Sequence, residues 1–554
     1  TSRMMRKREF SDFSREMKLL SASRNSLYDK IRRYGMITRL QKEDITVIHS
    51  DEKEPIVYGD VLDLYANREK SVASVAAVDD PLVSIYFQAF NHLEDYTKPA
   101  IAALLRYTSG IDYELILVDN GSTDGTFEFF QSIPHPRKRI YRITKNIGAF
   151  YAYSAAKYAT QGRFLRGKYF VGLPNDILVT KNWLKNMLIC MESDERIGFV
   201  VPMSDNVSNK QSVDLGYSNF ADMQEKAAAF NVSDPRKWHD RLRLIPTVCV
   251  IRTSLRECYE ADYAFVYDFA DDDISFTYRR LGYRIVLCGD VFVHHEGSSI
   301  GRADPKQYAM NIEKGRILFR LKYNGIDAWD DVINFEVFLQ RVLFEKIAMK
   351  ENVRALGIDV RCGTPLLEIR NTLRSDGFGS TRLTAYTTDP KYWQDLSSFC
   401  DDGVLCGDID RLSDKIGNER YDYIIIGEYV DCYEDPFSVI QAAAAHLAEH
   451  GTLVFKARNY DIPYDLQAVA NAMQSEPQAL AQGLSGLTEK LAMLPYAMDI
   501  YPYMEEVYDL RENFFAQLRA MEEYRNNSYV REIFSEERFD ALMTQYAVVL
   551  RKSV

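Results

Sequence analysis

After Pro81, short apolar runs alternate with segments of helical periodicity. Strands are predicted where β-branched and aromatic residues cluster, and helices where apolar residues recur on one helical face. The first predicted strands cover 82–90, 114–118, 139–143, 168–173 and 197–202, with helices at about 96–107, 123–132, 149–160 and 181–192. This alternation indicates βαβ units and a parallel sheet.

The alternation restarts near Val353. Strand-like runs at 247–251 and 285–295 close the first region, and helical repeats over 306–351 follow. Further strands are predicted at 354–360, 382–386, 403–409, 421–430 and 451–457, then a mostly helical tail at about 461–545 and a last strand at 546–552. We therefore predict a basic helical extension (1–80), an α/β domain (81–301), a helical connector (302–351) and a second α/β domain (352–554).

The N-terminal segment has a distinct charge pattern. Residues 1–43 hold twelve Lys and Arg against five acids, interleaved with apolar positions, which is typical of a basic amphipathic helix. Packing of a solvated helix on the main body is the favoured interpretation. Docking to an acidic partner protein or to a membrane surface is the alternative.

Composition limits the classes of function. With 554 residues, 46% hydrophobic and 27% charged, the chain is typical of a globular protein of about three to five domains. The net charge of -12 argues against a general polyanion surface, so no nucleic acid partner is expected. The eight cysteines lack C-x-x-C spacing, which favours reduced thiols over disulfides or a zinc site. The apolar runs are shorter than the roughly 18–20 residues of a membrane span, so a cytoplasmic location is predicted, peripheral at the inner membrane face if the basic segment docks there.

Two predicted strands end in a carboxylate. Asp119 lies in LVDNGSTDGT (117–126), and Asp176 follows Asn175 in FVGLPNDILVTKNWL (170–184). Ligands of open α/β sheets bind at the carboxyl ends of the strands. Asp119 either accepts hydrogen bonds from a nucleobase or ribose, or caps the next helix. Asp176 suits a hard divalent cation that shares its ligands with substrate phosphates, so the pair could hold the two ends of one nucleotide.

Four blocks in order carry a resemblance: VSIYFQAFNH (83–92), LVDNGSTDGT (117–126), KNIGAF (145–150) and LPND (173–176). They resemble the inverting glycosyltransferases of family 2, which have the GT-A nucleotide-sugar-binding fold. The resemblance implies donor contacts from Gln88, Phe90, Asn91, Asp119, Asn146, Gly148, Asn175 and Asp176. It also makes Asp176 a metal ligand. The D-x-D motif of the family is here Pro174-Asn175-Asp176 and keeps only its last carboxylate, like the N-N-D form of rhamnosyltransferase-like members. Because one ligand is missing, weaker metal binding is expected.

Two later blocks extend the resemblance. YDFADDDISFTYRRLGYRI (267–285) is similar to the acceptor-side block and implies Asp271 as the catalytic base, with Asp272 and Asp273 as alternatives. VFVHHEGSS (291–299) implies His294 as a metal ligand, with His295 as the alternative. A divalent cation, Mn or Mg, would stabilise the departing diphosphate, and a carboxylate would take the acceptor proton. Read alone, the acids could instead begin a solvated helix, and a histidine could be a core residue.

The C-terminal half resembles class I S-adenosylmethionine-dependent methyltransferases, which have a Rossmann-like fold. Their glycine-rich loop aligns with DVRCGTP (359–365), and the resemblance implies a cofactor site at Asp359, Gly363, Thr387 and Asp408. Three departures are adverse: an Arg361 side chain would project towards the cofactor, Pro365 lacks an N–H donor, and Thr387 aligns with the acid that usually binds the ribose, although Asp389 lies two residues away. S-adenosylmethionine binding is therefore doubtful, and a folded module without cofactor is favoured over a working methyltransferase.

Together these features predict a metal-dependent inverting hexosyl- or deoxyhexosyltransferase. It would move a sugar from a nucleoside diphosphate sugar to a hydroxyl of a glycan, a lipid-linked saccharide or a protein. A bifunctional glycosyltransferase and methyltransferase is the alternative, and a non-catalytic sugar-binding protein is a third hypothesis. The joint presence of Asp176, Asp271 and His294 argues against the third, because binding alone requires no base.

Overall fold

The computed structural model describes residues 45–49, 80–259, 262, 265, 269–297, 305–344, 352–377, 380–458, 485–502 and 545–552. The chain divides into two compact units, Thr1–Ile333 and Asn334–Val554, fewer than its length predicts. The division falls inside the predicted connector, so the connector's residues are shared between the two units. Within the described residues, no helix is both long enough and apolar enough to cross a membrane.

The first unit is built on a mixed sheet. Its described strands are β1 (Ile45–His49), β2 (Val83–Ala89), β3 (Tyr113–Asn120), β4 (Lys138–Ile143), β5 (Tyr169–Pro174), β6 (Ile177–Leu178), β7 (Ile197–Ser204), β8 (Trp238–Arg241), β9 (Cys249–Arg252) and β10 (Arg284–His295). Its described helices are α1 (Lys98–Tyr107), α2 (Thr126–Ser132), α3 (Ala149–Ala159), α4 (Trp183–Glu192), α5 (Phe220–Phe230), α6 (Thr253–Cys258), α7 (Ala270–Arg280) and α8 (Pro305–Lys322).

The strand order is β1-β4-β3-β2-β5-β9-β7-β10-β6, with β8 beside β10. Strands β4, β3, β2 and β5 are mutually parallel, so β2, β3 and β5 end at one edge of the sheet. Both faces are covered: Phe87 and Leu117 belong to one core, and Tyr86 and Ile116 to the other. Burial on two faces explains why these strands read as continuous apolar runs.

One element corrects the predicted helical extension. Ile45–His49 is an edge strand antiparallel to β4, not part of a helix. Its run Ile-Thr-Val-Ile is β-branched throughout, and such residues favour strands. The basic helix predicted over 1–43 lies outside the described residues.

The second unit has its own sheet. Its described strands are β11 (Asn352–Ile358), β12 (Ser380–Thr387), β13 (Val404–Cys406), β14 (Tyr421–Tyr429), β15 (Leu447–Arg458), β16 (Tyr496–Pro502) and β17 (Gln545–Lys552). Its described helices are α9 (Val337–Leu343), α10 (Thr364–Ser375), α11 (Trp393–Ser397), α12 (Leu412–Ile416), α13 (Pro436–Ala445) and α14 (Ser485–Leu491).

The order of this sheet is β13-β12-β11-β14-β15-β17-β16. The first five strands are parallel, and β17 inserts antiparallel between β15 and β16. The predicted fold class, two successive α/β domains of which the second has a Rossmann-like sheet, is confirmed. One prediction is wrong: Tyr496–Pro502 lies in the tail expected to be helical but forms β16, because β17 offers it a full antiparallel ladder.

Candidate functional site

Polar side chains join the ends of β2, β3 and β5. Asn91 follows β2 in the left-handed region (φ 54). Its N–H donates to Ser122 Oγ (2.8 Å), and its Oδ1 accepts from the Thr123 N–H (3.0 Å). After β5, the Asn175 amide donates to Asn91 O (3.1 Å) and Thr97 Oγ1 (3.0 Å). Two residues predicted to bind the donor, Asn91 and Asn175, therefore form a fixed frame around this edge.

Asp119 lies in this frame with an unused acceptor atom. The side chain is fully buried; Oδ1 accepts from the Ser122 N–H (2.8 Å), whereas Oδ2 is buried without a hydrogen-bond partner. Arg142 Nε lies 3.9 Å from Oδ2. Burial raises the pKa of Asp119, and the Ser122 bonds and Arg142 partly offset it. The alternative of a helix cap is not supported, because α2 begins at Thr126 and Asp124 accepts from its N–H.

The Asn146 loop packs tightly against the turn after β3. A Cβ on Gly121 (φ 87) would lie 2.5 Å from Asn146 N, so only glycine fits there. Asn146 Oδ1 accepts from the Asn120 amide (3.1 Å) and the Gly148 N–H (2.9 Å). The predicted donor residues Asn146 and Gly148 therefore lie next to the Asp119 turn.

Two further predicted donor residues flank the end of β2. Gln88 Oε1 accepts from the Tyr86 hydroxyl (2.6 Å). Phe90 is 40% exposed, so its ring is open to a ligand.

Asp176 follows β5 and faces His295 at the end of β10. His295 Nε2 lies 3.4 Å from Asp176 Oδ2, and Asp176 Oδ1 is buried without a hydrogen-bond partner. The other ring nitrogen, Nδ1, lies 3.2 Å from Asn206 O. A carbonyl can only accept, so Nδ1 carries a proton in this contact. Nε2 can donate to the Asp176 carboxylate when the ring is protonated, and it offers a lone pair to a cation only when the ring is neutral.

His294, the ligand preferred from the sequence, lies elsewhere. Its Nδ1 contacts Asp205 Oδ2 (2.7 Å) and the Tyr217 hydroxyl (2.8 Å), and its Nε2 contacts Glu296 Oε1 (3.2 Å). Successive residues of a strand point to opposite faces, so His294 and His295 cannot both face Asp176. The structure therefore replaces His294 by His295 as the partner of Asp176.

Asp176 and His295 together present an oxygen and a nitrogen ligand, which suits a divalent transition metal. Among the described residues, no group of three or more His, Cys, Asp or Glu could hold a metal ion. A cation here would thus complete its sphere with substrate oxygens and water.

Burial separates the three acids at the start of α7. Asp272 is 1% exposed and forms an ion pair with the Arg243 guanidinium. Asp273 is fully buried, accepts from the hydroxyls of Tyr259 (2.9 Å) and Tyr323 (2.6 Å), and pairs with Lys322 (2.5 Å). Burial raises the pKa of both carboxyls.

Asp271 is only half-buried. Burial raises the pKa of the Cys249 thiol to about 12, and the nearby Asp271 carboxylate contributes to this rise. Cys249 pairs with Gly172 on β5, the strand that leads to Asp176. Of the three acids, Asp271 is therefore the most accessible. It lies near the start of β9, a central strand of the sheet.

Residues missed in the sequence analysis complete this edge: Ser122, Arg142, Asp205, Asn206 and Tyr217. Asp205 had a usable signal, because it is an acid three residues after the predicted strand 197–202. Arg142 had none, because its contact with Asp119 depends on the pairing of β3 with β4.

In the second unit, the loop after β11 is saturated by protein contacts. Asp359 Oδ1 accepts from the Thr388 N–H (2.6 Å), and Oδ2 accepts from the Tyr433 hydroxyl (2.8 Å). Burial raises the pKa of Asp359. A Cβ on Gly363 (φ 107) would lie 2.8 Å from Leu396 Cδ2, so side chains fill the space beside this glycine.

Three further positions lie in this loop or at the neighbouring strand ends. The Arg361 side chain pairs with Glu428 at the end of β14 (Nε to Oε1, 2.7 Å). Thr387 is 1% exposed, and its hydroxyl donates to Asp389 O (3.0 Å). Asp408 follows β13, and its carbonyl accepts from the Tyr386 hydroxyl (2.7 Å). Asp359, Gly363, Thr387 and Asp408 thus follow or end the parallel strands of one sheet edge.

Residues 84–238 match the family model of glycosyl transferase family 2. This segment is a family 2 glycosyltransferase domain. The predicted family and enzyme class are confirmed for it. The match includes Asp119, Asn146 and Asp176 but ends before Asp271 and His295, and it covers less than half of the chain. No curated protein is a significant match to the sequence.

Solved structures resemble parts of the chain weakly. The mannosyltransferase PcManGT from Pyrobaculum calidifontis, in complex with GDP-Man and Mn2+, is 13% identical over 66% of this chain and 88% of its own (TM-score 0.30). S. aureus TarS 1-349, in complex with UDP, is 14% identical over 43% of this chain and 65% of its own (TM-score 0.29). The CurJ carbon methyltransferase is 14% identical over 46% of this chain and 70% of its own (TM-score 0.27). Because these TM-scores are low, the family 2 assignment depends on the family model.

Proposed function

We propose that the chain is a metal-dependent inverting glycosyltransferase that uses a nucleoside diphosphate sugar. The observation that carries the proposal is a pair of carboxylates with spare buried acceptors, Asp119 Oδ2 and Asp176 Oδ1, at the carboxyl edge of the family 2 domain. Buried polar atoms normally have partners, so two unpaired acceptors at the expected ligand edge favour a bound polar ligand. Asp119 would contact the base or ribose, beside the exposed ring of Phe90.

Asp176 and His295 would hold the divalent cation, Mn or Mg. When bound, the cation would offset the negative charge that develops on the departing diphosphate. Asp176 Oδ1, which has no hydrogen-bond partner, and the Nε2 of a neutral His295 ring fit this task.

Asp271 would act as the base. The acceptor hydroxyl oxygen bonds to the anomeric carbon while the bond from that carbon to the diphosphate oxygen breaks, and the hydroxyl proton passes to Asp271. Attack from the face opposite the leaving diphosphate inverts the anomeric configuration. Asp271 is half-buried, whereas Asp272 and Asp273 are almost fully buried, so Asp271 is the most accessible of the three to an acceptor.

For the second unit we propose a module that does not use S-adenosylmethionine. The saturated Asp359 carboxylate, the filled space beside Gly363 and the buried Thr387 hydroxyl support this. The bifunctional enzyme is the alternative, and it would require the Arg361 side chain to stay with its ion-pair partner Glu428.

Thermal-shift measurements with UDP-, GDP- and dTDP-sugars, with and without Mn2+, test the proposal. A donor present at a hundred times its Kd should stabilise the protein by about 2.7 kcal/mol. We expect one nucleotide class to stabilise the protein more strongly with Mn2+, and then to support transfer or slow hydrolysis. Absence of both stabilisation and donor turnover across the panel would overturn the proposal and favour a different role for the domain.

A further inference from the structure

We propose that Asp205 is a positioning residue that holds His295 towards Asp176, with Tyr217 and His294 as its supports. The inference depends on the proposed function, because it concerns the cation that Asp176 and His295 would hold. It assigns His294 a task different from metal ligation.

One carboxylate contacts both histidines of the pair. Asp205 directly follows β7, which runs parallel to β10 and pairs Ser204 with Val293 at the last rung. Beyond that rung, Asp205 Oδ1 accepts from the His295 N–H (2.8 Å). Its Oδ2 contacts His294 Nδ1 (2.7 Å) and accepts from the Tyr217 hydroxyl. The side chain thus continues the ladder and fixes the end of β10 where the backbone pairing stops.

The next residue completes the support of His295. The Asn206 amide donates to His295 O (2.8 Å), and Asn206 O lies 3.2 Å from His295 Nδ1. The backbone N–H, the carbonyl and one ring nitrogen of His295 are therefore all held by residues 205 and 206. Its remaining ring nitrogen, Nε2, faces Asp176 Oδ2 at 3.4 Å.

His294 is fixed in the opposite direction. Asp205 and Tyr217 contact its Nδ1, and Glu296 contacts its Nε2. The centroids of the Phe220 and His294 rings are 5.6 Å apart. Both ring nitrogens are engaged on the face away from Asp176. Groups behind a metal-binding histidine orient its ring, and their loss typically weakens metal affinity by roughly 10–100-fold.

The test measures Mn2+ affinity by electron paramagnetic resonance of free Mn2+ in the full-length protein with UDP, and separately with GDP. We expect Asp205→Ala, which removes the acceptor of the His295 N–H, to weaken Mn2+ binding roughly 10–100-fold. Asp222→Ala on α5, a half-buried acid paired with Lys226, is the matched control and should leave Mn2+ affinity unchanged. Tyr217→Phe serves as a milder second variant and should weaken binding less.

Two further variants separate the roles of the histidines. His295→Ala should remove Mn2+ binding in the presence of nucleotide. His294→Asn retains a donor near the Nδ1 position and removes Nε2, so Mn2+ affinity should stay within about threefold of wild type if His294 only supports Asp205. Loss of Mn2+ binding in His294→Asn would make His294 a ligand and overturn the inference.

The outcomes also distinguish the two proposals. If His295→Ala weakens Mn2+ binding and folded Asp205→Ala and Tyr217→Phe do not, the positioning role is wrong while the metal site stands. If wild type binds no Mn2+ with either nucleotide, or if neither Asp176→Ala nor His295→Ala changes the affinity, the metal site itself is wrong and the inference fails with it.

Discussion

Gly121 lies against the backbone of Asn146 so closely that a Cβ at position 121 would come within 2.5 Å of Asn146 N. The contact joins the turn after β3, which contains Asp119, to the loop before α3. It explains why glycine is required at the centre of the Asn-Gly-Ser turn. The turn that contains Asp119 and the loop that contains Asn146 are therefore in direct backbone contact.

Gly121→Ala should therefore both destabilise the protein and impair donor binding. The closely matched control is Gly110→Ala, at a similar φ of 88 but with no atom within 4 Å of the added Cβ. Left-handed strain alone costs about 1–2 kcal/mol, and overpacking adds about 1–3 kcal/mol at position 121 only. Urea unfolding and nucleotide calorimetry check this. Equal destabilisation by the two variants would show that the Asn146 contact is not restrictive.

Asp176→Ala should remove Mn2+-dependent nucleotide binding. It deletes the carboxylate that faces His295 Nε2 and carries a spare buried oxygen. Asp112→Ala, which removes an exposed carboxylate at the start of β3, is the control and should bind as wild type does. Calorimetry of UDP and GDP with and without Mn2+ measures the difference. Unchanged Mn2+ dependence in Asp176→Ala would contradict the assignment.

Asp271→Asn should lower transfer by roughly 10²–10⁴-fold while donor affinity stays unchanged, because a general base acts on the acceptor proton. Asp272→Asn should act differently, on stability. It leaves the Arg243 guanidinium buried without its counter-ion, and breaking a buried pair costs about 3–5 kcal/mol. Steady-state kinetics and denaturant unfolding of both variants separate the effects. A fully stable Asp272→Asn with the larger kinetic loss would move the base to position 272.

The central strands were predictable because burial on both faces demands continuous apolar runs. Strands β2, β3 and β5 lie within about two residues of their predicted ends. The edge strands were not predictable in the same way. Ile45–His49 and Tyr496–Pro502 are strands because β4 and β17 offer them ladders, and those partners are distant in sequence. Local pattern contains no information on such pairing.

The site was predictable in its residue types but not in its orientations. The sequence shows two adjacent histidines, and only the register of β10 against β6, with His295 opposite Ile177, shows which one faces Asp176. A one-residue shift in register would exchange them. The three acids of α7 present the same difficulty. Arg243, Tyr259 and Tyr323 reach Asp272 and Asp273 from separate segments, so the half-buried position of Asp271 emerges only in the fold.

The last prediction concerns the second unit, where the wild-type full-length protein should show no S-adenosylmethionine binding up to millimolar ligand. Asp359 has both oxygens occupied, and Thr387 offers a buried hydroxyl in place of a carboxylate. Neutral hydrogen bonds contribute about 0.5–1.5 kcal/mol each and charged ones about 1.5–3 kcal/mol, so losing two costs at least roughly tenfold to a hundredfold in affinity. Arg361→Gly should not restore binding, because it leaves the occupied Asp359 carboxylate and the missing carboxylate at Thr387 unchanged. Calorimetry decides the matter, with a thermal unfolding scan of the same sample as proof of folding. A micromolar Kd in wild type would make the bifunctional enzyme the better interpretation.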